Sequence, residues 1–314
     1  MMNDNYGGIP IKNEYKVKKN MMNLNNDNNK KNKIRQKNKR KVKNWVLNVL
    51  LVIFLIITGY GIYELVKWHN DNINISKLVE EIDKNTIVIE KEDDENTEIV
   101  GEPTEEENVE PEVLSDYWYY VKFPLIDVDI NSLKQKNSDA VGWINVNNTN
   151  INYPYVQTDN NSYYLNHSFD RSYNDAGWVF MDYRNNSNLD NKNTILYAHS
   201  RLDKTMFGSL SKVFRRDWHT NKDNHIIRIS TETENTLWQI FSVYKIEEES
   251  YYITTDFYSD DAYQEFLNTI TSRSIYNFNT SLNVNDRVLT LSTCYDDNIR
   301  TVVHAKLIKR SANN

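Results

Sequence analysis

From residue 114 onward the sequence predicts a mainly β domain, an eight-stranded barrel with few helices, and ahead of it a single transmembrane helix. Two patterns carry this expectation. Short runs rich in Val, Ile, Tyr, Trp and Thr recur eight times, separated by stretches of Asn, Asp and Ser, which favours a closed or nearly closed barrel over a parallel sheet with crossover helices. Nearer the N-terminus, residues 45–63 carry no charge and are long enough to cross a bilayer at about 1.5 Å per residue.

Residues 1–44 hold 13 Lys/Arg against 3 Asp/Glu, a net charge of +10, in an Asn-rich context without apolar periodicity. Such a segment reads as a disordered basic tail. Residues 45–66 follow as the transmembrane anchor, and the basic flank sets the N-terminus in the cytoplasm and the remainder outside the cell. The apolar stretch exceeds a signal-peptide core, carries Trp45, Tyr60 and Tyr63 as interfacial residues and leads into no small-x-small cleavage site, so the expected anchor is uncleaved.

Residues 67–113 read as an acidic extracellular stalk. Positions 80–112 hold 15 acidic residues and 2 lysines, a net of −13, with Pro103 and Pro111 interrupting regular structure; self-repulsion is expected to keep this stretch extended. Just before it, Ile75, Leu78, Val79 and Ile82 have the spacing of a short helix. The chain totals −7, the tail supplies +10, the acidic stretch −13 and residues 45–79 nothing, which leaves roughly −4 for residues 114–314 and argues against a nucleic-acid surface.

Those residues form the globular domain on this reading, and their number suffices for one well-buried core. Residues 114–140 read as helix or irregular chain, with Leu125, Ile130 and Leu133 as contacts. The strands are expected at 141–146, 150–156, 177–181, 194–198, 225–229 and 236–244, with the last two flanking Cys294 and Arg300. Between the sixth and seventh, residues 259–270 read as a helix with a Ser/Asp start, an acidic first turn, and Ala262, Phe266, Leu267 and Ile270 on one face. Residues 206–213 read as a short helix after the fourth strand.

Cys294 is the one cysteine of the chain, which excludes an internal disulfide in a domain expected outside the cell. It ends the run Arg287-Val-Leu-Thr-Leu-Ser-Thr-Cys294, and strand alternation groups it with Val288, Thr290 and Ser292 on the more polar face. Arg300 opens the next apolar run. A thiol at a strand end near a fixed cation is placed where a thiolate is stabilised. A cysteine nucleophile also needs a proton-handling partner and an oxyanion donor. Of the six histidines, His69 adjoins the membrane span, His167, His219 and His225 lie in polar segments or at a strand edge, and His304 stands about 13 Å along a strand from Arg300. His199 differs, because it ends the apolar run 194–198 as Cys294 ends its own.

With these residues in view the sequence resembles the sortases, cysteine transpeptidases of the Gram-positive cell surface. The matching pieces are Leu196-Tyr-Ala-His199-Ser, Leu289-Thr-Leu-Ser-Thr-Cys294 and Arg300-Thr-Val-Val-His-Ala-Lys-Leu. Val141-Gly-Trp-Ile, Ile151-Asn-Tyr-Pro-Tyr-Val-Gln157, Tyr163-Tyr-Leu-Asn-His-Ser-Phe169 and Val179-Phe-Met-Asp-Tyr-Arg184 support them, and together they are most similar to class B. The resemblance spans residues 114–310 and implies a sortase-type β-barrel with an N-terminal helix, a helix between strands six and seven, and catalysis by His199, Cys294 and Arg300. The link from Cys294 to Arg300 is short for that class.

The resemblance further implies a Cys294 thioester, cleavage of a C-terminal sorting motif of secreted proteins, and transfer to an amine of peptidoglycan or its lipid-linked precursor, with no cofactor and no metal. The backbone N–H of Tyr295 is a second oxyanion donor on this reading. Ser292 and Tyr197 share the strand faces of Cys294 and His199 and are expected either to line the substrate groove or to pack at its edge. Asp296 and Asp297 read as turn residues rather than as the acid of a triad. Pilus assembly is the alternative within the family. A papain-like surface protease would place its cysteine before its histidine, the reverse of the order here, and a non-catalytic binding module leaves the three strand-end residues unexplained.

Overall fold

The computed structural model describes residues 12–103, 110–247, 249–294 and 299–313. The chain divides into two units, Met1–Lys67 and Trp68–Asn314. Helix α1 (Lys12–Asn85) begins in the first unit, where it contains a stretch long and apolar enough to cross a membrane. In the second unit its Ile75 and Ile82, seven residues apart on one face, are buried, and Leu78 and Val79 pack against the same core. The helical spacing read from the sequence is therefore a packed helix.

Two pieces of the acidic stretch, residues 88–91 and 97–99, are built into the second unit rather than standing off it. Strand β1 (Val88–Lys91) pairs antiparallel with β3 (Leu125–Val128), and β2 (Thr97–Ile99) pairs with residues 309–311 of the last strand. The repulsion expected among its carboxylates is relieved by the basic end of that strand: Lys309 Nζ lies 2.6 Å from Asp93 and Arg310 Nη2 2.6 Å from Glu98. Helix α2 (Pro111–Val121) starts on a proline, which suits the first helical turn. It seats Tyr117, Tyr120 and Val121 against Leu125, Ile226, Leu237 and Ile308. Helix α3 (Ile130–Lys136) is capped by the Asp129 side chain, which accepts from the Ser132 N–H.

The barrel strands follow as β4 (Ala140–Val146), β5 (Asn152–Val156), β6 (Phe180–Met181), β7 (Asn193–His199), β8 (Ile226–Thr231), β9 (Glu234–Glu247), β10 (Val288–Cys294) and β11 (Ile299–Ala312). They are bonded in the order β10-β7-β6-β5-β4-β8-β9-β11, and the β10–β11 ladder closes the ring, which removes the open edges a sheet would otherwise expose. On the edge of β11 opposite β9, β10 pairs with residues 302–306 and β2 takes over at 309–311. Trp143, Trp178, Trp238, Leu289 and Leu291 fill the main core. A short α4 (Arg216–Thr220) precedes β8. The helix expected at 259–270 is α5 (Asp260–Ser272), N-capped by Ser259; it buries Tyr263, Phe266, Leu267 and Ile270 against the outer face of β9, β10 and β11. The short helix expected at 206–213 is a 3-10 turn over Gly208–Phe214.

The folded body thus reaches well N-terminal of residue 114. Burying an isoleucine contributes about 1.5–3 kcal/mol, so removing Ile75 and Ile82 together with β1 and β2 takes a large share of the roughly 5–15 kcal/mol that holds a domain folded. A fragment starting at residue 68 is expected to melt as one cooperative unit in thermal circular dichroism, and one starting at residue 114 to melt at least about 10 °C lower or to aggregate. Equal melting temperatures would return the boundary to residue 114.

Candidate active site

Two parallel strands from distant parts of the chain bring the predicted residues together. β7 and β10 pair in parallel, from Asn193 with Val288 to His199 with Cys294, so the histidine and the cysteine are Cα partners at the end of the ladder. Neighbouring strands lie about 4.8 Å apart, a separation across which an imidazole and a thiol can exchange a proton. β11 runs antiparallel to β10 with Val302 opposite Ser292, and carrying that register on by two residues sets Arg300 across from Cys294. The ladder is reinforced there by the Thr301 N–H, which donates to Thr293 Oγ1 at 2.8 Å. Tyr295, Asp296 and Asp297 lie outside the described residues.

His199 is half-buried, and three features fix its ring. It ends β7, its carbonyl accepts from the Phe207 N–H at 3.0 Å, and its Nε2 lies 2.6 Å from the carbonyl oxygen of Leu165. A carbonyl only accepts, so Nε2 carries a proton. Behind the ring stands Gly177, at φ +60°; a Cβ there would meet the carbonyls of Tyr164 and Leu165 at 2.6 and 2.8 Å and the His199 ring at 3.0 Å. Glycine adopts that backbone without steric cost and, having no Cβ, leaves that space.

Ser292 and Tyr197, the two residues expected at a groove or its edge, have little exposure. Ser292 is buried, with its Oγ 3.2 Å from Tyr252 Oη, and Tyr197, its Cα partner, donates from Oη to Asp182 at 2.9 Å. Burial, then the neighbouring Asp182 charge, pushes the Tyr197 phenol well above its ordinary range and keeps it neutral. The turn Tyr251–Ile253 lies over this strand face, because the Asn193 side chain donates to the carbonyls of Tyr252 and Thr254 at 3.2 and 2.9 Å.

Four of the other five histidines have structural partners. His304 is fully buried, 2.8 Å from both Tyr244 Oη and Thr290 Oγ1, and burial drives it down to about 3. His225, 2.7 Å from Tyr120 Oη, is likewise held at about 4 by burial. His167 stacks on Tyr163 and His219 on Tyr276. Sequence reasoning missed Leu165 and Gly177, which act through backbone. The signal it could have used is that a chain with only 8 glycines keeps one at the head of the 177–181 run.

The chain matches the family profile described as Sortase domain over residues 144–308. It is 33% identical to sortase B of Staphylococcus aureus over 271 residues, which cover 85% of this chain and 97% of the relative. It is also 33% identical to sortase B of Listeria monocytogenes over 187 residues, 58% of this chain and 75% of that one. Among solved structures, the Staphylococcus aureus sortase B–substrate complex superposes with a TM-score of 0.55 at 39% identity, covering 57% of this chain and 84% of that one. Sortase B from Bacillus anthracis in complex with AAEK1 gives 0.55 at 38%, covering 62% and 93%.

If Gly177 holds the His199 ring in place, Gly177→Ala should slow alkylation of Cys294 by iodoacetamide at pH 7 roughly tenfold, since a thiolate is favoured by a nearby imidazolium. The measurement is the alkylation rate against pH. An unchanged rate profile would show that the ring keeps its place without the glycine.

Proposed function

Since the chain belongs to the sortase family, on its class B branch, we propose that this transpeptidase works through Cys294, His199 and Arg300 at the outer face of a cell membrane. The observation that carries the reading is the register that makes Cys294 and His199 Cα partners. In the first half-reaction the Cys294 thiolate attacks the carbonyl carbon of the scissile peptide bond, and the electron pair moves to oxygen. Arg300, a planar donor charged at every relevant pH, stabilises that oxyanion together with the Tyr295 N–H. The tetrahedral species collapses, the C–N bond breaks, and His199 Nδ1 delivers its proton to the departing amine, leaving an acyl thioester on Cys294.

In the second half-reaction an acceptor amine attacks the thioester carbonyl, loses its proton to His199 Nδ1, and the thiolate leaves, restoring the starting ion pair. Water in place of the amine gives hydrolysis. Ser292 and Tyr197 shape the wall beside the acyl group. The donors are secreted proteins carrying a C-terminal sorting signal, and the acceptor is an amine of peptidoglycan or its lipid-linked precursor. That a related sortase B was solved in complex with triglycine, a short peptide with a free amine, supports an amine acceptor. The apolar residues 45–66 anchor the enzyme and the +10 tail keeps the N-terminus in the cytoplasm.

The test is to give the purified enzyme a labelled peptide from the C-terminal region of a secreted protein, with and without triglycine. A mixed peptide–glycine product in mass spectrometry is expected from the wild type, and neither cleavage nor transfer from Cys294→Ala at an unchanged melting temperature. Hydrolysis alone with every amine tried would make the protein a protease. Asp296→Ala should keep most activity; a loss equal to that of the cysteine variant would bring back a triad.

Arg300→Lys separates chemistry from docking. A lysine keeps the charge but loses the planar fork, so kcat should fall at least about tenfold while KM changes less than about threefold. Steady-state kinetics on the same peptide decide it, and a raised KM with kcat retained would make Arg300 a docking residue.

A further inference from the structure

We propose that Asp182 and Arg184 form a positioning pair that aligns the segments flanking His199 and Cys294, a role that rests on the transpeptidase reading above. Asp182 follows β6 and is fully buried. Its Oδ1 accepts from the backbone N–H of Arg184 at 3.0 Å and from Arg184 Nε at 2.8 Å. Its Oδ2 accepts from Arg184 Nη2 at 2.7 Å, Asn161 Nδ2 at 3.0 Å and Tyr197 Oη at 2.9 Å. Burial works against this charge, but Arg184, its backbone N–H and Tyr197 outweigh burial and hold the carboxyl below its ordinary range. Arg184 Nη2 also donates to the carbonyl of Ile253 at 2.9 Å.

Each partner leads to the site. Asn161 opens the segment that reaches Leu165, whose carbonyl holds His199. Tyr197 stands two residues before His199 on β7. Ile253 closes the turn whose Tyr252 touches Ser292, two residues before Cys294. The carboxylate therefore bonds directly to β7 at Tyr197 and to the segment opened by Asn161, and through Arg184 and the turn above it reaches Ser292 on β10. A pair whose carboxylate is buried while its guanidinium stays in contact with solvent is a poor source of stability. Here it supplies direction: the guanidinium is a fork that can grip a carboxylate with two nitrogens and still reach a carbonyl, which an ammonium cannot do. The Asn193 amide already fastens the turn to β7, so Arg184 sets where the Ile253 backbone stands beside the groove rather than whether the turn is attached.

Arg184→Lys tests this in the full-length enzyme in detergent micelles, because it keeps the countercharge of Asp182 and removes the reach to Ile253. The probe is a fluorogenic peptide from the C-terminal sorting region of one of the cell's own secreted proteins, with triglycine as the amine. The expected result is a KM raised about tenfold, kcat within about twofold, an unchanged rate of iodoacetamide alkylation, and amide exchange at residues 251–255 faster by about tenfold. A purely structural role would lower the melting temperature and leave KM and local exchange alone. A folded variant with wild-type KM and exchange, or one that loses kcat at constant KM, overturns the proposal. Should the lysine variant fail to fold, the neutral pair Asp182→Asn with Arg184→Gln is read by the same criteria. A wild type that cleaves no peptide sinks the transpeptidase reading, and the exchange comparison still decides the pair.

Discussion

Everything at the site depends on one ladder, the parallel pairing of β7 with β10. Parallel neighbours cannot be joined by a tight turn, and a slip of one residue would turn every side chain to the opposite face. A chain of buried polar groups prevents that slip. His304 is fully buried and neutral, so it offers one N–H and one lone pair. Thr290 Oγ1 gives its proton to Asn193 Oδ1 at 2.6 Å and therefore accepts from His304 Nδ1. That leaves Nε2 to accept from Tyr244 Oη, which itself accepts from Tyr251 Oη at 3.2 Å. At the other end, the Asn193 amide donates to the turn at Tyr252 and Thr254. Shifting β10 by one position would leave several of these groups buried and unpaired, at about 1–3 kcal/mol each.

Charge does comparable work at the opposite end of the barrel. Lys306 and Lys309 have side chains only 1% exposed, Lys306 facing Asp286 at 3.0 Å and Lys309 facing Asp93 at 2.6 Å. Removing one member of such a pair leaves an uncompensated charge, which penalises any arrangement in which the acidic strand has not docked. β2 thereby covers the part of β11 that β10 does not reach, and the long last strand has partners on both edges at residues 302–306 and 309–311. Gly101, at φ +68°, lets the chain pass over this ion pair, since a Cβ there would meet Lys306 Cε at 2.6 Å.

The shorter barrel strands were legible because they are apolar and bounded by turn residues; the 194–198 run became Asn193–His199 and the 141–146 run Ala140–Val146. Helix α5 was legible for a local reason too, its Ser259 cap and acidic first turn. What escaped was pairing at long range. Residues 88–91 and 97–99 are short and set in a highly charged stretch, and nothing local says that their partners lie near residues 125 and 310. That His199 and Cys294 each end a strand was readable from the apolar runs they close. The supports were not, because Leu165 acts through a carbonyl, Gly177 through the absence of a side chain, and Asp182 through five donors from three separate segments.

The contrast between His199 and His304 shows how position in a strand divides one residue type between two tasks. Both lie on barrel strands, one at the end of β7 and one in the middle of β11. A mid-strand histidine facing α5 has protein on every side, so desolvation disfavours its charged form and its two nitrogens are committed to Thr290 and Tyr244. It can relay hydrogen bonds and fix a register, but it cannot take up a proton at neutral pH. A histidine that ends its strand stands only half-buried, and a backbone carbonyl pins one nitrogen as a permanent donor. The mechanism proposed above uses the other nitrogen, at a position less enclosed than that of His304. Strand ends are where a barrel can give a group fixed geometry without complete burial, which is the combination that proton transfer at a thiol requires.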